Sequence, residues 1–203
     1  MSLQTCDESV FWCWVNERHQ IYLNKRQGLP KPWTLDPILQ KYKFCNVFRR
    51  LDRTTEWFLN DFLKPDDDPA IIAFNCCWFR MFNRIETGKV LGWQQSWDKR
   101  QVYDALSTVK FPVFTGAYII HSEPGEAKLD SILQVCAELW SLCVDDDNLV
   151  ALIQESNSMK ATWQALQTVR HVGLFLAYEM VCDMRYTKLL RGAVDAMMWA
   201  NLG

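Results

Sequence analysis

Arg80, Asn83, Arg84 and Thr87 fall at three- and four-residue spacing in an otherwise largely apolar stretch. A guanidinium is a planar fork of donors that grips a phosphate or pyrophosphate through two parallel hydrogen bonds, and an amide beside it adds a further donor. The same residues equally suit internal ion pairs, with Glu17, Glu86 or Asp52 as counter-charges. Glu179 and Asp183 form the second constellation, four residues apart on one helical face and separated by Met180, Val181 and Cys182. Carboxylates sharing a low-dielectric surface have their pKa values pushed apart, which suits proton transfer; they are also common partners for arginine.

Just before them, Thr168-Val169-Arg170-His171-Val172-Gly173-Leu174-Phe175-Leu176-Ala177 reads as helix, tight turn, helix. This is the outline of a helix-hairpin-helix, in which backbone N–H groups at the start of the second helix approach a DNA phosphate. Two turn glycines are usual, and His171 stands where the first would be. The alternative is an ordinary turn with Gly173 ending the preceding helix.

Helices must position these residues. The first starts from a Thr5–Glu8 capping box, continues through Phe11, Trp14, Arg18, Ile21 and Tyr22 at helical spacing, and ends by Gly28. Asp36 and Pro37 begin a second helix, expected to reach about Leu51 with Ile38, Leu39, Tyr42, Cys45 and Phe48 inward. A short third starts at Thr54 or Thr55. The fourth, Pro69 to about Glu86, is the most apolar, starts from Asp68 and is expected to stop at Thr87-Gly88. Further helical patterns cover about 98–107, 127–143, 146–155, 159–169, 173–184 and 188–200. One β-like stretch, Phe111 to Ile120, has no partner strand. The fold class is all-α, and with no repeat or low-complexity linker the 203 residues read as one domain.

The net charge of −2 conceals a strong asymmetry. Between Glu17 and Arg53 nine basic residues face three acidic ones, a local +6 that leaves −8 elsewhere. Arg18, Lys25, Arg26, Lys31, Arg49 and Arg50 are the candidate DNA-facing cations of that third, with Gly173 at the hairpin; a solvated helix surface is the plainer explanation. Eight cysteines without any C-x-x-C pair read as reduced core thiols, and three scattered histidines lack metal-ligand spacing, so neither a metal nor another cofactor is expected. No apolar run reaches the length of a membrane span and residues 1–20 lack signal-peptide order, so the expected location is the cytoplasm, away from membranes.

Taken together, ordered blocks along nearly the whole chain resemble one family. They are Asn16-Glu17-Arg18, Lys25-Arg26-x-Gly28, Pro32-Trp33-Thr34-x-Asp36-x-Ile38-Leu39, Tyr42-x-Phe44-x-Asn46-Val47-x-Arg49-Arg50-x-Asp52, Phe79-Arg80-Met81-Phe82-Asn83-Arg84-x-x-Thr87, Phe114-Thr115-Gly116-Ala117-Tyr118, Gly173-x-Phe175-Leu176-Ala177-Tyr178-Glu179 with Asp183, and Trp199-Ala200-Asn201-x-Gly203. The family is the helical domain of phage 5-hydroxymethyluracil DNA kinases, shared with the alpha-glutamyl/putrescinyl thymine pyrophosphorylases or amino acid:DNA transferases.

The resemblance implies a fold like that of helix-hairpin-helix DNA glycosylases. It also implies work on bacteriophage DNA, in the host cytoplasm: replacement of the pyrophosphate of 5-pyrophosphoryloxymethyl-uracil by an amine, an amino acid or a polyamine. In that reaction Arg80, Asn83 and Arg84 would stabilise the departing pyrophosphate, Asp183 or Glu179 would accept the amine proton, and Trp33, Tyr118 or Tyr178 would stack on the exposed base, with Thr87 beside the substrate. The partners implied are DNA carrying modified thymine and an amine co-substrate. Relatives continue past the Trp199 block, which implies a naturally short protein, a fragment, or a remainder supplied by a second polypeptide; a partner polypeptide completing the fold is the expectation. Base excision and a non-catalytic DNA-binding subunit are the competing functions. The chain carries no Gly-x-x-x-x-Gly-Lys-Ser/Thr phosphate loop and is not expected to be the kinase itself.

Overall fold

In a computed structural model, residues 8–200 are described. Thr5 of the expected capping box, and Asn201 and Gly203 of the last sequence block, lie outside them. All regular structure among the described residues is helical. The backbone divides into two compact units, Met1–Glu56 and Trp57–Gly203.

The first unit is built on α1 (Glu8–Arg26), which Gly28 follows at φ +72. No residue of α1 is buried, so its aromatic stripe does not face a core. Ring contacts, Trp14 to Phe44 at 5.8 Å and His19 to Phe48 at 5.1 Å, and polar bonds tie the unit together. The Thr34 hydroxyl donates to the Glu17 carboxylate, Asn24 Nδ2 donates to the Trp33 carbonyl at 3.1 Å, and Gln40 Nε2 to the Thr34 carbonyl at 2.8 Å. Asp36 caps α2 (Pro37–Lys41) by accepting from the Ile38 and Leu39 N–H groups, as its position before Pro37 foretold.

This second helix stops at Lys41, ten residues short of the expected Leu51. The competing bonds come from α1. Arg18 donates from Nε and Nη2 to the Phe44 carbonyl and from Nη2 to Asn46 Oδ1, while Asn46 Nδ2 holds the Leu51 carbonyl. These contacts satisfy backbone carbonyls without a helix. Of the five side chains expected inward only Leu39 is buried; Ile38, Tyr42, Cys45 and Phe48 are exposed. A short helix, α3 (Arg53–Trp57), follows, capped by Asp52 rather than by Thr54 or Thr55.

The second unit is organised around α4 (Pro69–Phe82), in which every residue from Ala70 to Phe82 is buried. Asp68 caps it through the Ala70 N–H at 2.8 Å. It packs against α7 (Lys128–Trp140) and the π-helical turn Ser141–Asp145, against α8 (Asn148–Ser156), and most extensively against α10 (Leu174–Met184). Burying a helix on all sides requires apolar residues all round, which Ile71 to Phe82 supply except at Asn75 and Arg80.

The fourth helix ends earlier than expected. Asn83 takes a left-handed conformation (φ 46, ψ 44), closes α4, and separates it from α5 (Ile85–Leu91). Gly88, expected as a stop, lies inside α5, where a Cβ would come within 2.6 Å of the Trp57 ring. The remaining helices are α6 (Lys99–Ser107) and α9 (Met159–Leu166). The segment 111–120 is not a strand. Its bonds run to helices instead, with the Thr115 N–H donating to the Phe82 carbonyl and the Phe114 ring stacked on Phe82 at 5.1 Å.

Residues 188–200, expected to be helical, form successive turns. Asn157 draws this segment in, accepting the Val194 N–H and donating to the Gly192 carbonyl. Asp195 accepts from the Met159 and Lys160 N–H groups and the Ser158 hydroxyl, so it caps α9 from a distance in sequence. Among the described residues no helix is long and apolar enough to cross a membrane. Cys76, Cys77, Cys136, Cys143 and Cys182 are buried free thiols, and Cys13 and Cys45 are exposed.

Candidate nucleic-acid interface

The first unit encloses a cleft of about 1170 Å³ between α1, the 31–34 turn, the 39–46 segment and the start of α3. Seven cations line it: Arg18, Lys25, Arg26, Lys31, Lys41, Lys43 and Arg53. Against them stands one lining acid, Glu56, which pairs with Arg26 at 3.2 Å. Arg18 is tied to Phe44 and Asn46, and burial draws its pKa below the ordinary arginine value, an effect the neighbouring Cys45 partly offsets. The other five, Lys25, Lys31, Lys41, Lys43 and Arg53, give the cleft its positive potential.

Aromatic rings alternate with these charges. Tyr22, Trp33, Tyr42 and Phe44 line the same cleft. Trp33 is fixed at its edge, Nε1 donating to the Leu29 carbonyl at 2.7 Å. A basic cleft interleaved with aromatic planes has the composition of a nucleic-acid site, cations for phosphates and rings for bases. Of the cations and rings singled out in the sequence, Arg18, Lys25, Arg26, Lys31 and Trp33 converge here. Arg49 and Arg50 lie on the 3₁₀ turn Arg49–Leu51 and do not line the cleft. Lys41, Lys43, Arg53, Tyr22 and Tyr42 were not singled out as site residues. The local charge excess was the signal for the first three, whereas Tyr42 was masked by its assignment to a helix interior.

The second unit gathers Arg80, Asn83, Glu179 and Asp183. Arg80 Nε and Nη2 grip the two Asp183 carboxylate oxygens at 2.5 and 2.7 Å, and Nη1 donates to Asn83 Oδ1 at 2.7 Å. The side chains are 2% and 0% exposed, so this is a fully buried bidentate ion pair between α4 and α10. Glu179 stands 3.6 Å from Arg80 Nη1 and keeps 14% of its side chain exposed. Burial, and next the Asp183 carboxylate, push the Cys76 thiol well above its ordinary range, with Arg80 acting in the opposite sense. The hydroxyl of Tyr118 donates to the Arg80 carbonyl at 2.9 Å.

Other candidates from the sequence lie apart from this cluster. Arg84 is the residue before α5, paired with Glu86 at 3.2 Å and set over the Phe111 ring at 5.6 Å; it does not form a double fork with Arg80. Thr87 is buried and donates to the Val113 carbonyl. Tyr178 packs on Trp199 with ring centres 5.7 Å apart. At the hairpin the left-handed residue is His171 (φ 61), held by Glu123 at 2.8 Å. Gly173 is in extended backbone, exposed, and directly precedes α10. It does not end the preceding helix, α9, which closes at Leu166. Among the described residues no group of histidine, cysteine or carboxylate side chains is placed to hold a metal ion.

Residues 7–203 match the family described as 5-hmdU DNA kinase, helical domain, so one family spans both units. The 5-hmdU DNA kinase of Bacillus phage SP10 is 28% identical over 222 aligned residues, which cover 98% of this chain and 35% of that protein. The chain thus spans about a third of the length of that curated relative. No solved structure matches. With its ordered sequence blocks on a wholly helical framework, the chain belongs to the family of 5-hmdU DNA kinase helical domains.

Proposed function

We propose that the chain is a DNA-engaging helical enzyme unit in the modification of 5-hydroxymethyluracil in phage DNA. The observation that carries this is the N-terminal cleft, with five cations that pair with no carboxylate among the described residues, interleaved with aromatic rings in a protein of net negative charge. Binding is tested by fluorescence anisotropy with labelled hydroxymethyluracil DNA over a salt series. Five phosphate contacts give a log–log slope of about −3.5 on a single strand or −4.5 on a duplex. Lys25→Glu/Lys31→Glu/Lys43→Glu, at exposed positions, lowers affinity at least about tenfold and flattens that slope. Unchanged affinity in the triple variant refutes the assignment.

A second reading concerns the chemistry: amine transfer onto the 5-methylene carbon of pyrophosphorylated hydroxymethyluracil. The observation that favours it is the unequal state of the two carboxylates on α10. Both Asp183 oxygens are engaged by Arg80 and the Asp183 side chain is fully buried, while Glu179 keeps 14% of its side chain exposed. In this reading Glu179 takes the proton from the attacking amine, pyrophosphate leaves, and Asp183 positions Arg80. Incubation with pyrophosphorylated DNA and a panel of amines, followed by nucleoside mass spectrometry, tests it. Glu179→Gln abolishes the aminated nucleoside; retained transfer in that variant, or abasic sites as product, rules the reading out.

A further inference from the structure

The N-terminal cleft pairs rings with cations. Lys31 Nζ lies 5.0 Å from the centre of the Trp33 ring, Lys41 Nζ 5.2 Å from Tyr42, and the Arg26 guanidinium 6.0 Å from Tyr22. All six residues line the same cavity. A nucleotide offers the matching pair of features, a flat base joined to a charged phosphate. In a duplex the base faces are hidden within the stack, leaving phosphates and groove edges for recognition. Rings on a duplex-binding surface would therefore contribute little, whereas an unpaired strand uses both rings and cations.

Size and rigidity point the same way. At about 1170 Å³ the cleft is slightly larger than a typical small-ligand pocket, about 300–1,000 Å³, and suits a short run of nucleotides rather than a double helix. Trp33 is preorganised as a platform. Its edge is held by Leu29, its carbonyl by Asn24, and the adjoining Thr34 by Glu17, so the indole is fixed in place with the Lys31 ammonium over its ring. We infer that the cleft is a single-strand site, in which bases stack on Trp33 and Tyr42 while the neighbouring lysines hold the phosphates. The inference rests on the DNA-binding reading above and adds that the strand must be unpaired where it is held.

The test uses the full chain and three labelled DNAs at one salt concentration: a 15-nucleotide single strand, its duplex, and that duplex with a central unpaired loop. The single strand and the looped duplex bind at least about tenfold tighter than the plain duplex, a margin in line with one or more stacked bases. Tyr42→Ala removes a ring that is 55% exposed and leaves the backbone cap of α2 in place. It weakens single-strand binding about five- to a hundredfold and leaves the duplex unaffected. Trp33→Phe, which keeps a stacking face, retains most of the binding. Equal affinity for duplex and single strand, or a Tyr42→Ala variant that weakens neither or both alike, overturns the single-strand inference while DNA binding stands. If the folded protein binds none of the three DNAs, the DNA-binding reading falls as well.

Discussion

Asp183→Asn separates a structural role of the Arg80 pair from a catalytic one. The substitution keeps the shape of the side chain but removes the charge that neutralises Arg80, a guanidinium that cannot release its proton. With side-chain exposures of 2% and 0%, neither solvent nor salt replaces the lost partner. Removing one member of such a pair costs about 3–5 kcal/mol, a large part of the roughly 5–15 kcal/mol that holds a domain folded. At a urea dependence of about 2 kcal/mol per molar, the midpoint falls by about 1.5–2.5 M, read by circular dichroism. Glu179→Gln serves as the internal control. Its carboxylate is 3.6 Å from Arg80 and keeps 14% of its side chain exposed, so its loss costs less than that of the fully buried Asp183. The triple variant Arg80→Met/Asp183→Leu/Glu179→Gln recovers much of the stability, because it leaves no uncompensated charge in the buried site. A midpoint shift below about 0.5 M for Asp183→Asn, or one equal to that of Glu179→Gln, refutes the structural role.

Three further outcomes follow from local geometry. Gly88→Ala drives a Cβ to 2.6 Å from the Trp57 ring and loses about 1–3 kcal/mol, or about 2–12 °C in melting temperature, whereas Gly173→Ala meets open space at an ordinary φ and melts like the native chain. If Gly173→Ala nonetheless weakens DNA binding, the hairpin touches the phosphate backbone; unchanged affinity excludes a close approach there. Asn83→Ala melts lower than Asn83→Gly, since glycine tolerates the left-handed conformation; the reverse order contradicts that account. Asp195→Asn melts lower than the native chain at pH 7, and the gap narrows at pH 3. Burial raises the Asp195 pKa, but the Lys160 and Met159 N–H groups and the Ser158 hydroxyl outweigh it and hold the value below the usual range. Its contribution is therefore complete above the unfolded value of about 3.9 and is lost as pH falls through the lower folded value.

What could be read from the sequence was mostly local. Asp36-Pro37 and Asp68-Pro69 announce helix starts because cap and first turn lie within four residues of each other. The early ends of α2 and α4 could not be read in the same way. Arg18 takes the Phe44 carbonyl across 26 residues, and Asn83 leaves the helix while its amide oxygen receives Arg80. The Arg80–Asp183 pair had a signal that spacing alone did not exploit. Arg80 is the one charge of α4 and Asp183 one of two on the otherwise apolar α10, and charges of opposite sign in such runs are buried against each other. Of the counter-charges expected from the sequence, Glu17, Glu86 and Asp52, Glu86 pairs with Arg84.

The charge asymmetry of the sequence acquires a physical meaning from these two sites. In the second unit the buried charges described neutralise each other, so Arg80 contributes stability and little outward field. Among the described residues of the first unit Leu39, Thr34 and Thr55 are buried, and the cations line a cleft open to solvent. Substitutions should therefore produce opposite phenotypes. Charge reversal at Lys25, Lys31 or Lys43 alters DNA affinity and its salt dependence with little effect on unfolding, since exposed cations contribute about 0–1 kcal/mol. Asp183→Asn lowers the unfolding midpoint, and the fraction that remains folded keeps the native salt slope. Measuring both quantities on both sets of variants decides the matter. A lysine variant that unfolds early, or an Asp183 variant whose folded fraction has lost salt-dependent binding, would show that binding and stability are not divided in this way.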